Sequence, residues 1–262
     1  MKKLFFYSSL LIIPIILSSF KNKSSKFLPK ELKGLKAVTQ IPSGTFNGQK
    51  MSSYYMFSNE VSNLDYLEFI YYLKSRNRTE ELTLAQVDTS LWNNINANGN
   101  RFYAKRYHKM HNYPVVNISK RAAELYCEWL SEIWNNQQDK FIVEFRLPTE
   151  QEWEYAALGG KEPKNRDYPW DGQYCRNSKG LFLAQHKAFG LNYGPTRSNS
   201  FFPNEFGLYN MSGNVSEIIN DKDVAKGGSW NNTEDEIKIK SESKLEKSPF
   251  VGFRPIMILK EK

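Results

Sequence analysis

FIVEFRLPTEQEWEYAALGG, residues 141–160, holds a strand, a helix start and a helix stop in direct succession. FIVEFRLP reads as a strand. Thr149 then stands where a hydroxyl can cap the first turn of a helix, and Glu152 occupies the capping-box position three residues on. Gly159 and Gly160 end the helix, because glycine accepts the left-handed backbone that closes one. Upstream, YPVVNISKRAAELYCEWLSEIWNN (113–136) repeats the plan. A short strand at Val115 and Val116 leads to Ser119 as N-cap. A helix follows with Ala122, Leu125, Tyr126, Trp129, Leu130 and Ile133 on one face.

Further towards the N-terminus, MFSNEVSNLDYLEFIYYLKSR (56–76) offers Ser62 or Asn63 as a cap. Leu64, Leu67, Phe69, Ile70 and Leu73 recur there at helical spacing. AVTQIPSGTFNGQ (37–49) opens the folded part with a short strand and a Pro-Ser-Gly turn, and 77–112 reads as loops with at most one short helix. After Lys161, Gly, Pro, Asn and Asp dominate. Irregular chain of that length needs ions, disulfides or aromatic packing to hold it.

The 262 residues suffice for one large domain, and 40% hydrophobic with 15% aromatic residues fits a globular chain. Net charge is +8. Much of the basicity lies between Lys21 and Lys36, with no arginine-rich helix, aromatic RNA-binding signature or zinc finger, so no nucleic-acid partner is expected. Lys2 and Lys3 precede an apolar run from Leu4 to Leu17, then Ser18 and Ser19: an export signal. Phe20 stands where a lipoprotein signal carries its cysteine, so the chain is not a typical lipoprotein. The expected division is an export signal at 1–20, a basic linker at 21–36 and a single domain at 37–262. Of the two cysteines, Cys127 reads as a core residue, and nothing in the sequence shows that it meets Cys175. The histidines His108, His111 and His186 read as surface or loop residues.

The order of motifs resembles one family. EVSNLDYLEFI (60–70), YPVVNISKRAAELYCEWL (113–130), RLPTEQEWEYAALGG (146–160), FPNEFGLYNMSGNVSE (202–217), GGSW (227–230) and GFR (252–254) look like the signatures of the formylglycine-generating enzyme, or sulfatase-modifying factor, superfamily. The likeness runs roughly from Val38 to Leu259. It implies an α+β variant of the C-type lectin fold with much irregular structure. YPWDGQYCRNSKGLFLA (168–184) further resembles the non-catalytic gliding-motility lipoproteins of type IX secretion.

In the catalytic members, the resemblance implies, two cysteines after GGSW bind copper(I) and form a mixed disulfide with a substrate cysteine. Here those positions fall near Asn232 and Ile237, and neither side chain can ligate a soft metal or exchange a disulfide. No catalytic residue is therefore assigned, and neither copper nor iron is expected. The resemblance also implies a calcium site at Asn210, Gly213, Val215 and Glu217, where side-chain and backbone oxygens suit a hard ion. The family's other calcium position reads Ala184-Gln185 and is poorly kept. The expected function is an exported, non-catalytic binding or scaffold component of gliding motility or type IX secretion. Its expected place is the periplasm or the periphery of the outer membrane, with protein partners. The alternative is a copper- or iron-dependent oxidase that modifies a protein cysteine.

Overall fold

A computed structural model describes residues 38–94, 110–162, 166–187 and 194–262, with Leu28, Pro29, Leu32 and Leu35. The expected export signal lies outside the described residues, as does His108.

Four strands make the main sheet: β1 (Val38–Ile41), β4 (Tyr54–Phe57), β5 (Phe141–Arg146) and the C-terminal β10 (Ile256–Glu261). Their order is β1-β4-β10-β5, all antiparallel, so the last strand lies between β4 and β5. Between β1 and β4, β2 (Gly44–Phe46) and β3 (Gln49–Met51) form a separate hairpin. Both faces of the main sheet are covered, which the two-residue period of a strand allows. Phe57, Val143, Phe145 and Met257 enter one core cluster, while Tyr54, Met56 and Ile256 enter the other.

Helix α1 (Asn63–Ser75), the short α2 (Thr79–Leu84) and the long α3 (Lys120–Gln137) cover the first face. Ser62 caps α1, in a capping box with Asp65. Of the expected row Leu64, Leu67, Phe69, Ile70 and Leu73, Phe69 and Leu73 are buried and Ile70 packs partly buried against the core, while Tyr66 takes the buried place expected of Leu64 and Leu67. Ring packing explains the exchange: Tyr66 and Phe69 lie 5.9 and 5.6 Å from Tyr126 of α3, and Phe69 lies 5.4 Å from Trp129. Aromatic pairs contribute beyond their buried area, so they outrank leucines in choosing the face. Val115 and Val116 are buried, but the backbone there forms only a bridge at Pro114, not the expected strand.

Helix α4 (Glu150–Ala157) covers the second face with Trp153 and Tyr155. Its start matches the expectation: Thr149 Oγ1 accepts from Glu152 N, and Glu152 Oε2 accepts from Thr149 N at 2.8 Å. Arg146 from β5 grips the same carboxylate through two bonds of 2.7 Å. Replacing Thr149 with alanine should cost about 1 kcal/mol, read as a melting midpoint lowered by about 2–4 °C. An unchanged midpoint would mean that Arg146 alone organises this corner.

The expected linker is partly wrong. Leu28, Leu32 and Leu35 are buried in the first cluster, so the packed domain reaches back into 21–36. Their apolar area outweighs the basic composition around them.

From Lys161 to Val215 the described residues contain no helix or strand beyond a bridge between Arg176 and Phe182. Side-chain amides hold the segment in place. Asn204 donates to the carbonyls of Ala156 and Ala157 and accepts from the amides of Phe206 and Leu208. A second sheet then forms from β6 (Ser216–Ile218), β7 (Val224–Lys226), β8 (Glu242–Lys244) and β9 (Val251–Gly252), in the order β8-β7-β6-β9. This sheet carries the GGSW loop.

Candidate functional site

The chain leaves β7 through Gly227 and Gly228, at φ +84° and +63°. A side chain at Gly228 would place its Cβ 2.6 Å from the Glu236 carbonyl, so only glycine lets the next loop fold down here. That loop is a self-contained polar turn. Asn232 Oδ1 accepts from the amide and hydroxyl of Ser229 at 2.9 and 2.6 Å. Glu236 accepts from the amide and hydroxyl of Thr233 at 2.7 and 2.9 Å. Ile237 is fully buried against Tyr168, Cys175 and Ala184. Asn232 is therefore engaged inside the turn, and Ile237 is core.

Above the loop lies a cleft of about 570 Å³, lined among others by Ser216, Ser229, Asn231, Ser248 and Phe250. Asp235, Glu236, Glu242 and Glu246 face a single lining lysine, Lys244, so the cleft is hydroxyl-rich and acidic. Among the described residues no cysteine or methionine lines it. Cys127 and Cys175 are both free and buried, in separate core clusters. Burial raises both thiols, Cys175 to about 12, so neither is a ready nucleophile.

Beneath the second sheet sits a buried charge cluster. Arg254, fully buried, pairs with Glu217: Nη2 donates to Oε1 at 2.7 Å and Nε to Oε2 at 3.0 Å. Trp153 Nε1 donates to the same Oε2 at 2.7 Å. The remaining donors of Arg254 reach the carbonyls of Phe57 and Tyr209 at 2.9 and 2.6 Å. Glu60 lies beside this pair and accepts from Asn214 Nδ2 at 2.8 Å and Asn210 Nδ2 at 3.2 Å. Burial pushes Glu60 up to about 8, with Glu217 adding repulsion and Arg254 pulling the other way.

Of the four residues expected to hold calcium, Glu217 is already committed: its two oxygens accept from Arg254 and Trp153. A dication on Glu217 would confront a guanidinium on the same carboxylate. The set does not fit calcium in this arrangement. A Cβ at Gly213 would come 2.3 Å from the Gln185 carbonyl, which gives that glycine a packing reason of its own.

Two of the three histidines are among the described residues. His111 is exposed, whereas His186 is buried rather than at the surface, with Phe182 edge-on at 5.3 Å.

Residues 33–258 match the model of the sulfatase-modifying factor enzyme 1-like domain. The chain belongs to that family. Among curated relatives of this sulfatase-modifying-factor-like chain is the inactive C-alpha-formylglycine-generating enzyme 2 of Bos taurus, 35% identical over 47% of this chain and 40% of the relative. The formylglycine-generating enzyme of Mus musculus is 35% identical over 42% of this chain and 27% of its own length. The chain thus spans less than half the length of these relatives. Two solved structures share the fold: CarF, with TM-score 0.60 and 18% identity over 84% of this chain and 97% of its own, and PvdO from Pseudomonas aeruginosa, with TM-score 0.58 and 18% identity over 84% and 93%.

For this family member the Glu60–Arg254–Glu217 cluster was not legible as a unit, although all three letters stand inside the quoted motifs. Glu60 stands among serines and asparagines in MFSNEVSNL, so its neighbours along the chain carried no signal of burial.

Proposed function

We propose that this chain is an exported, non-catalytic member of the family that works as a binding or scaffold component. The observation that carries the reading is the loop after GGSW, where Asn232 closes a turn and Ile237 fills the core. A thiol pair is what copper(I) and disulfide exchange require, and neither position supplies one. The relatives named inactive, matched over 47% of the chain, favour the same reading. The acidic, hydroxyl-lined cleft beside residues 231–247 is then the partner surface, suited to a basic or polar protein segment. The likeness of residues 168–184 to gliding-motility lipoproteins sets the proposed context: protein partners of gliding or type IX secretion, in the periplasm or at the outer-membrane periphery.

Incubation with a sulfatase-type cysteine peptide, copper(I) and oxygen should leave the peptide cysteine unconverted by mass spectrometry. Any turnover to formylglycine would overturn the reading. Replacing 231–247 with a Gly-Ser linker should abolish partner retention from the native envelope, and unchanged retention would remove the loop's role.

A further inference from the structure

We propose that Cys175, His186 and Glu234 form a zinc site that staples the loop after GGSW to the irregular segment before it. One ligand atom from each lies within 4.8 Å of the others. Around a tetrahedral zinc such donors stand about 3.3–3.7 Å apart, so a small inward movement closes the shell. Glu234 can supply it, because its side chain is half exposed while Cys175 and His186 are buried.

The decisive detail is the histidine. Its Nδ1 lies 3.2 Å from the Ala184 carbonyl, which can only accept, so Nδ1 carries the proton. In the neutral ring that leaves the lone pair on Nε2, the nitrogen beside Glu234. Nε2 is 3.3 Å from Glu234 Oε1, outside hydrogen-bond geometry, and is buried with no hydrogen-bond partner. A ring nitrogen freed in this way, with its opposite N–H held by a backbone carbonyl, is how proteins orient imidazole towards a metal.

The backbone holds the three segments together before any ion arrives. Leu183 N donates to Cys175 O at 2.9 Å, and Lys187 N donates to Asn232 O at 2.8 Å. The Tyr168 hydroxyl donates to the Glu234 carbonyl at 3.0 Å. One thiolate, one imidazole and one carboxylate make a borderline set, which suits zinc better than copper(I) or calcium. Binding replaces the thiol proton with a sulfur–zinc bond and releases that proton to solvent. Three protein donors leave the fourth position to water on the open side of Glu234.

The full chain, stripped with chelator, is titrated with zinc and separately with cobalt(II). We expect one equivalent to bind, a higher melting midpoint with zinc, and a near-ultraviolet cobalt–thiolate band. The band should survive Cys127→Ser and vanish in Cys175→Ser. Glu234→Gln changes an exposed side chain and leaves the fold intact, yet should weaken zinc binding at least tenfold. Absence of the band in the unaltered chain, its loss in Cys127→Ser, or full zinc affinity in Glu234→Gln would each overturn the site. Peptide turnover does not bear on it, so this site and the partner reading can fail separately.

Discussion

Arg254→Met is expected to lower stability by about 3–5 kcal/mol, on the order of 10 °C in melting midpoint for a domain of this size. The guanidinium is fully buried, and its hydrogen bonds go to Glu217 and to two backbone carbonyls. Methionine fills much of the volume but leaves Glu217 buried with only the Trp153 N–H for company. An isolated buried carboxylate either stays charged at high cost or takes up a proton. Glu217→Gln in the same background should therefore recover part of the loss, since it removes the stranded charge. Urea unfolding of both single variants and the double variant measures the coupling. A loss below about 1 kcal/mol for Arg254→Met would show that the cluster is not the keystone its burial implies.

The second large effect is a pH slope that belongs to Glu60. Its pKa rises from an ordinary 4.5 to about 8 in the folded chain, chiefly through burial. Between those values the native state holds a proton that the unfolded chain releases. The native state thus binds more protons than the unfolded one, and stability falls as pH rises through that window. Glu60→Gln cannot ionise; like a protonated glutamic acid it keeps one acceptor for an Asn Nδ2 donor and turns a donor group to the other asparagine, whose amide must rotate to accept. At pH 5 the variant should match the parent within about 0.5 kcal/mol. Near pH 9 it should be more stable by a few kcal/mol. The difference between the two unfolding curves isolates this group from other titrating side chains, Glu68 among them. Parallel curves from pH 5 to 9 would mean that Glu60 stays ionised throughout, fully compensated by Arg254.

The sequence was most informative where structure is local. The caps at Ser62, Ser119 and Thr149, and the glycine stop at Gly159–Gly160, were readable because a cap and its helix lie within four residues. The missing thiols after GGSW were equally plain, since donor chemistry belongs to the residue itself. On α1 Phe69 and Leu73 were readable but Tyr66 was missed, because the rings of α3 draw it in. The leucines at 28, 32 and 35 were lost in a basic composition that says nothing of what they touch.

By itself the sequence determined the family, the order of its motifs and the loss of sulfur from the loop, all of which are properties of letters and short spacings. Only the tertiary structure decided which distant groups share an enclosed space. It set Glu60 150 residues before Asn210 yet in contact with it, gave Glu217 to Arg254, and turned His186 inward towards Cys175 and Glu234. Charges and lone pairs act over a few ångströms, and separation along the chain does not reveal which of them the fold will bring that close.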